Sequence, residues 1–265
     1  MHTSLTQSVL LDDSRAPGHW ILARLGKRVL RPGGLEATSL LLHQLAITAK
    51  DRVVEFAPGL GITARRVLHN RPASYVGVER ETEVARKLQA DLGSASIKFV
   101  NACAQESGLD SGHADVVLGE AMLTMQPVET KRAIIGEAAR LLRSGGRYGI
   151  HEIALVPDNM SAEVRQEIRS GMSKVIHHGI TAQTVSEWKQ LLGDAGFQNI
   201  RIELVPFRLL EPARLISDEG IYGAMRFAVN LLRMPKARER VCAMRSTFRR
   251  FAPHLSAIVV TATKG

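Results

Sequence analysis

The chain has 265 residues, 45% of them hydrophobic and 23% charged, with a formal net charge of +9: enough for one large α/β domain with an appended cap, and the composition of a chain that buries a core. No apolar run approaches the roughly 18–20 residues of a membrane span, and the opening MHTSLTQSVLLDDSR lacks the basic-then-apolar order of a signal peptide, so a soluble, cytoplasmic protein is expected. Two cysteines, Cys103 and Cys242, are too few for a disulfide framework or a zinc cluster and are expected as small buried hydrophobes.

The first dozen residues carry no clear pattern. Ala16 to Leu30 and Leu35 to Ala49 place apolar residues at helical spacing, and Arg31-Pro32-Gly33-Gly34 between them is a turn. Residues 1–34 are therefore expected to form an N-terminal helical lid, ahead of a domain spanning 35–265. From Asp51 short apolar runs follow at 52–57, 74–79, 97–101, 114–119 and 147–153, mostly separated by helical segments at 62–69, 82–92 and 129–143. Alternating strands and helices predict a parallel sheet with helices on both faces. A helix over 162–175, a helix over 184–195, and strands over 199–205 and 256–263 complete the pattern. Helical cap insertions are expected at about 155–180 and 208–255. In the second, Ile221, Ala224, Met225, Ala228, Leu231 and Leu232 form one apolar stripe, and Val241, Met244, Phe248 and Phe251 another. Both are expected as packing faces.

The sharpest local signal is Glu55-Phe56-Ala57-Pro58-Gly59-Leu60-Gly61, between the first strand and the next helix. Glycines there let the backbone approach a ligand, and the helix start offers free N–H groups. Glu79, ending the next strand eighteen residues after Gly61, is placed to accept from the two hydroxyls of a ribose. A nicotinamide dinucleotide fits less well, because Ala64 stands where that fingerprint needs its last glycine.

The acid-x-Gly-x-Gly-x-Gly turn followed by an acid after the second strand resembles class I S-adenosylmethionine-dependent methyltransferases, with Ala57 in place of the first glycine. The resemblance implies a Rossmann-like, seven-stranded, mostly parallel sheet whose last strand runs antiparallel between the fifth and sixth. It implies S-adenosyl-L-methionine as cofactor, with Glu55, Ala57, Gly59 and Gly61 near its methionine portion, and Glu79 with Arg80 at the ribose. Asn101 and Ala102 would flank the adenine, and Gly119 and Glu120 would line the methyl-donor pocket. Arg31 in the lid is a candidate partner for the cofactor's carboxylate.

Methyl transfer needs alignment first and a base only when the nucleophile holds its proton. His151, with Glu120, is the first candidate for that base; His177 and His178 in the cap are read as structural. The motifs of nucleic-acid methyltransferases are absent: Gly119-Glu120-Ala121-Met122 stands where an amino-group enzyme carries an Asn/Asp-Pro-Pro-Tyr-like sequence, and neither cysteine follows a proline. Residues 208–251 carry ten Lys/Arg and four Asp/Glu, most of the chain's positive surplus. The expectation is a small-molecule acceptor, an anionic one suiting the basic cap. Nucleic acid, RNA in particular, is the alternative acceptor, and a non-catalytic S-adenosylmethionine-binding protein the alternative role. A homodimer is compatible with the sequence.

Overall fold

The computed structural model describes residues 16–265. The expectations for the opening segment, including the signal-peptide reading, fall mostly on residues 1–15 and so lie outside the described residues. Numbered along the described chain, the core elements are α1 (Gly18–Arg24), α2 (Gly34–Leu45), β1 (Arg52–Phe56), α3 (Ile62–His69), β2 (Ser74–Glu79), α4 (Thr82–Leu92), β3 (Ile97–Asn101), β4 (Ala114–Glu120), α5 (Val128–Leu141) and β5 (Leu142–Leu155). Then follow α6 (Ala162–Ile176), β6 (Gln183–Thr184), α7 (Val185–Asp194), β7 (Phe197–Pro206), α8 (Pro212–Arg233), α9 (Pro235–Phe251) and β8 (Leu255–Lys264).

The sheet order is β3-β2-β1-β4-β5-β8-β7, with β8 antiparallel to both neighbours. The expected seven strands are all present; the eighth, β6, is a two-residue addition paired with the end of β5. It leads directly into a capping box, Thr184 accepting from the Glu187 N–H while Glu187 accepts from the Thr184 N–H, which starts α7 at this point. Val54, Phe56 and Val117 pack beneath α5 and α7 on one face of the sheet. Val53, Leu118 and Val259 pack beneath α2, α3 and α4 on the other. This is why the strands read as continuous apolar runs.

A second apolar body sits at the carboxyl ends of β4 and β5. Ile21 and Leu22 of α1 pack there with Met172 of α6 and Val241, Met244 and Phe248 of α9. The helix expected over Ala16–Leu30 stops at Arg24, because Gly26 adopts φ +100° and turns the chain out of helical conformation. The segment that follows is pinned by two carboxylates of α8. Glu219 accepts from the Arg28 and Val29 N–H groups at 2.7 and 2.8 Å. Asp218 accepts from the Leu35 N–H at 2.9 Å and lies 3.4 Å from the buried Lys27 Nζ. Gly34 permits this approach: a Cβ at that position would meet the Asp218 carboxylate at 2.3 Å.

Two expectations require correction. The stripe beginning at Ile221 is not a packing face; Ile221, Met225 and Leu232 are 66%, 60% and 69% exposed. The helix turns Phe227 inward instead, with Leu231 packing beside it. Its rotation is set by polar ties, Arg226 and Asn230 donating to the Gly26 and Leu25 carbonyls at 3.1 Å each, and by a left-handed break at Gly220. The stripe on α9 is buried as expected. Both cysteines are exposed, Cys103 in the turn after β3 and Cys242 on the solvent side of α9 next to buried Val241.

Candidate active site

The glycine turn leaves β1 with Ala57, Gly59 and Gly61 all at positive φ (+52°, +55° and +71°). Ala57 thus occupies the conformation its usual glycine would favour, at a cost of about 1–2 kcal/mol. A Cβ on Gly59 would meet only the Ala57 carbonyl, at 3.8 Å. The space beside it is open.

Glu79 closes this turn from β2. It is buried, accepting from the Gly59 N–H through one oxygen and the Glu81 N–H through the other, each at 3.1 Å. Burial raises its pKa, and these two hydrogen bonds oppose the rise. A carboxylate has about four acceptor positions, so two remain for hydroxyls. Asn101 donates to the Glu79 and Arg80 carbonyls at 3.0 and 2.8 Å, and the Ala102 N–H to the Glu79 carbonyl at 3.2 Å, tying the ends of β2 and β3 together. Glu55 faces the other side of β1, where Tyr75 donates to it at 2.7 Å. Burial, with Glu120 nearby, pushes its carboxyl up to about 8.

Glu120, at the end of β4 after Gly119, is a hub. It accepts from Thr38 at 2.8 Å, from Thr63 and from Arg31 of the turn before α2. The Nδ1 of His151 lies 2.9 Å from it, and His151 Nε2 meets the Pro32 carbonyl. Burial alone would raise the Glu120 pKa, but Arg31 and His151 outweigh it and hold the group at about 2. His151 is fully buried, and both of its nitrogens face groups that only accept. Neither nitrogen therefore has a lone pair directed at an acceptor molecule. Arg31 was expected at the cofactor's carboxylate and His151 with Glu120 as the base; the structure joins the three in one buried cluster between the turn before α2 and the sheet. Arg31 Nε is buried without an acceptor among the described residues, a donor suited to the cofactor's carboxylate. The open turn, the spare acceptor positions on Glu79 and this donor together fit S-adenosylmethionine.

Beyond β4 and β5 lies a half-open, mainly apolar cavity of about 90 Å³. Ala121 and Glu152 floor it from the strand ends, and Leu22, Met172, Ile180 and Phe248 wall it from lid and cap. Glu152 is fully buried and accepts from the Met122, Leu123 and Thr124 N–H groups at 2.7–2.9 Å, which fixes the loop after β4. The first turn of α1 adds His19 to the lining. Burial first, then the positive charges of His178 and Arg80, lower its pKa to about 4. His178 of the cap is itself lowered, by partial burial and Arg80. His19 was not among the residues expected from the sequence, because its imidazole comes from the first turn of α1 and not from a strand end.

Residues 53–146 match the family model described as a methyltransferase domain, the stretch from β1 to the start of β5 that holds every cofactor-site residue except Arg31. The chain belongs to the class I S-adenosylmethionine-dependent methyltransferases. This methyltransferase is 33% identical over 235 residues to an uncharacterised Haemophilus influenzae protein, covering 87% of its own length and 91% of the relative's. It is 28% identical to the 27-O-demethylrifamycin SV methyltransferase of Amycolatopsis mediterranei, covering 62% of its own length and 61% of the relative's. A phosphoethanolamine N-methyltransferase of Haemonchus contortus, solved with phosphomonomethylethanolamine and S-adenosylhomocysteine, shares the fold at 14% identity and a TM-score of 0.72, over 96% of this chain and 58% of that one. The methyltransferase thus spans less than two thirds of the last two proteins. S-adenosylmethionine is its cofactor, and no helix among the described residues is long and apolar enough to cross a membrane.

Proposed function

We propose that this methyltransferase acts on a small acceptor whose reacting end enters the apolar cavity beyond β4 and β5, and that His19 receives the acceptor's proton. The supporting observation is the position of that cavity: floored by Ala121 and Glu152 at the strand ends and closed by His19 from the lid. S-adenosylmethionine supplies an electrophilic methyl group on a sulfonium. The rest falls to the protein. Glu79 holds the ribose hydroxyls, the Ala57–Gly61 backbone lies along the methionine portion, the strand ends at Asn101 and Ala102 flank the adenine, and Arg31 Nε meets the carboxylate. Segment 16–34 acts as a lid over this cleft. Its latch to Glu120 and its ties to Asp218 and Glu219 exclude water, which strengthens every polar interaction inside.

His19 suits proton acceptance because burial keeps it neutral at working pH. Among the described residues it makes no hydrogen bond, only a ring contact with Trp20 at 5.3 Å between centroids. The lining is mainly apolar, so the reacting end of the acceptor carries carbon on most sides. Relatives act on acceptors as different as 27-O-demethylrifamycin SV and phosphomonomethylethanolamine, so the acceptor is read from this cavity and not from them. The test is a titration with S-adenosylhomocysteine, followed by turnover of S-adenosylmethionine against apolar hydroxyl, amine and thiol acceptors. Binding and turnover are expected, with turnover lost in His19→Ala. Turnover undiminished in that variant would overturn the assignment of His19.

A further inference from the structure

A second cavity, of about 390 Å³, opens between the end of β7 and α9. Its volume falls within the roughly 300–1,000 Å³ of ligand sites. Arg208, Arg245 and Arg249 line it with a single carboxylate, Glu211. Glu211 is committed to two of them: Arg249 donates to both oxygens at 2.8 and 2.9 Å, and Arg245 reaches one at 3.5 Å. Three guanidinium groups facing one carboxylate leave an uncompensated positive charge. Arg245 Nε is moreover buried without an acceptor. Among the described residues only Arg31, in the cofactor cleft, shares that condition.

The two cavities share walls. Phe207, Leu209 and Phe248 line both, and the Phe207 and Phe248 rings meet edge to face with centroids 5.3 Å apart. The inner cavity holds the reacting end and the outer one the capacity. We infer that the acceptor is a single anionic amphiphile: its carboxylate or phosphate binds Arg208, Arg245 and Arg249, and its apolar body passes the Phe207–Phe248 pair to bring the nucleophile to the inner cavity. This rests on the proposed function and names the class of acceptor. The planar, multiply donating guanidinium matches such oxyanions.

The experiment is calorimetric titration of the full chain, saturated with S-adenosylhomocysteine, with butyl phosphate, decyl phosphate, decanoate, decan-1-ol and inorganic phosphate. Decyl phosphate and decanoate should bind at least tenfold more tightly than decan-1-ol. Decyl phosphate should exceed butyl phosphate by a similar factor, with inorganic phosphate weakest. Arg245→Gln with Arg249→Gln should weaken decyl phosphate at least tenfold and leave S-adenosylhomocysteine affinity unchanged. Glu211→Gln should tighten it, because the competing carboxylate is gone; a merely structural triad would loosen or leave it. Equal binding of decan-1-ol, affinity independent of chain length, or folded arginine variants with undiminished affinity would each overturn the inference. Failure to bind S-adenosylhomocysteine would instead strike the proposed function.

Discussion

The Nδ1 of His151 stands 2.9 Å from the Glu120 carboxylate, and neither group is open to the acceptor cavity. Together with Arg31 they fasten the lid to the sheet. Removing the imidazole takes one partner from Glu120, which keeps Arg31, Thr38 and Thr63, and losing a hydrogen bond to a charged group costs about 1.5–3 kcal/mol. His151→Leu is expected to lose that much stability by chemical denaturation. If instead the variant keeps its stability and loses only turnover, His151 is the base after all.

Glu120 should also govern acid stability. Its folded pKa of about 2 lies below the ordinary 4.5. The stabilisation is therefore fully present above pH 4.5 and is lost as pH falls through about 2. A shift of that size corresponds to about 3 kcal/mol. Glu120→Gln should be less stable at neutral pH but show a flatter loss between pH 4.5 and 2, read from denaturation midpoints across that range. Parallel curves for the two proteins would contradict this reading.

For the cofactor, Glu79→Ala removes the acceptor of two hydroxyl hydrogen bonds, each worth about 1.5–3 kcal/mol when charge-assisted. S-adenosylhomocysteine affinity should fall at least tenfold. Gly59→Ala separates ligand space from packing space. A Cβ there strikes no side chain, so the variant should fold with only the strain of its positive φ, about 1–2 kcal/mol, yet bind cofactor poorly. Calorimetry with both variants checks the assignment.

His19 carries a pH signature of its own. With its pKa lowered from 6.5 to about 4, the folded lid favours the neutral ring. The closed state is unpenalised above pH 6.5 and loses stability progressively as pH falls toward 4. Turnover limited by this group should accordingly hold down to about pH 5 and decline as pH falls through about 4. His19→Ala should lower kcat by about 10²–10⁴ while S-adenosylhomocysteine affinity holds. A pH–rate profile of both proteins decides.

The basic cap is not expected to bind nucleic acid tightly. Arg249 is paired with Glu211 and Arg250 with Glu167, while Arg240 donates to the Ala16 and Val175 carbonyls at 3.2 and 3.1 Å. Duplex DNA and structured RNA should bind weakly, with affinity vanishing as salt rises. Tight binding at near-physiological salt, abolished by neutralising Arg238, Arg240, Arg245 and Arg249, would favour a nucleic-acid acceptor.

The sequence by itself determined the sheet and its cofactor turn. Strand periodicity, Gly59, Gly61 and Glu79 are local signals, because backbone conformation and the length from β1 to β2 confine them to one end of the sheet. Arg31, Glu120 and His151 were each legible as site residues, but not their mutual contact, since only packing shows that Glu120 takes up the His151 Nδ1 and an Arg31 guanidinium N–H. The tertiary structure alone decided which face of α8 is buried: its apolar stripe argues for Ile221 and Met225, yet hydrogen bonds from Arg226 and Asn230 to the Gly26 and Leu25 carbonyls, two hundred or more residues earlier, turn Phe227 inward. It alone placed His19 against the cavity as well. That position depends on α1, α6 and α9 meeting over β5, a long-range arrangement for which no stretch of sequence carries a period.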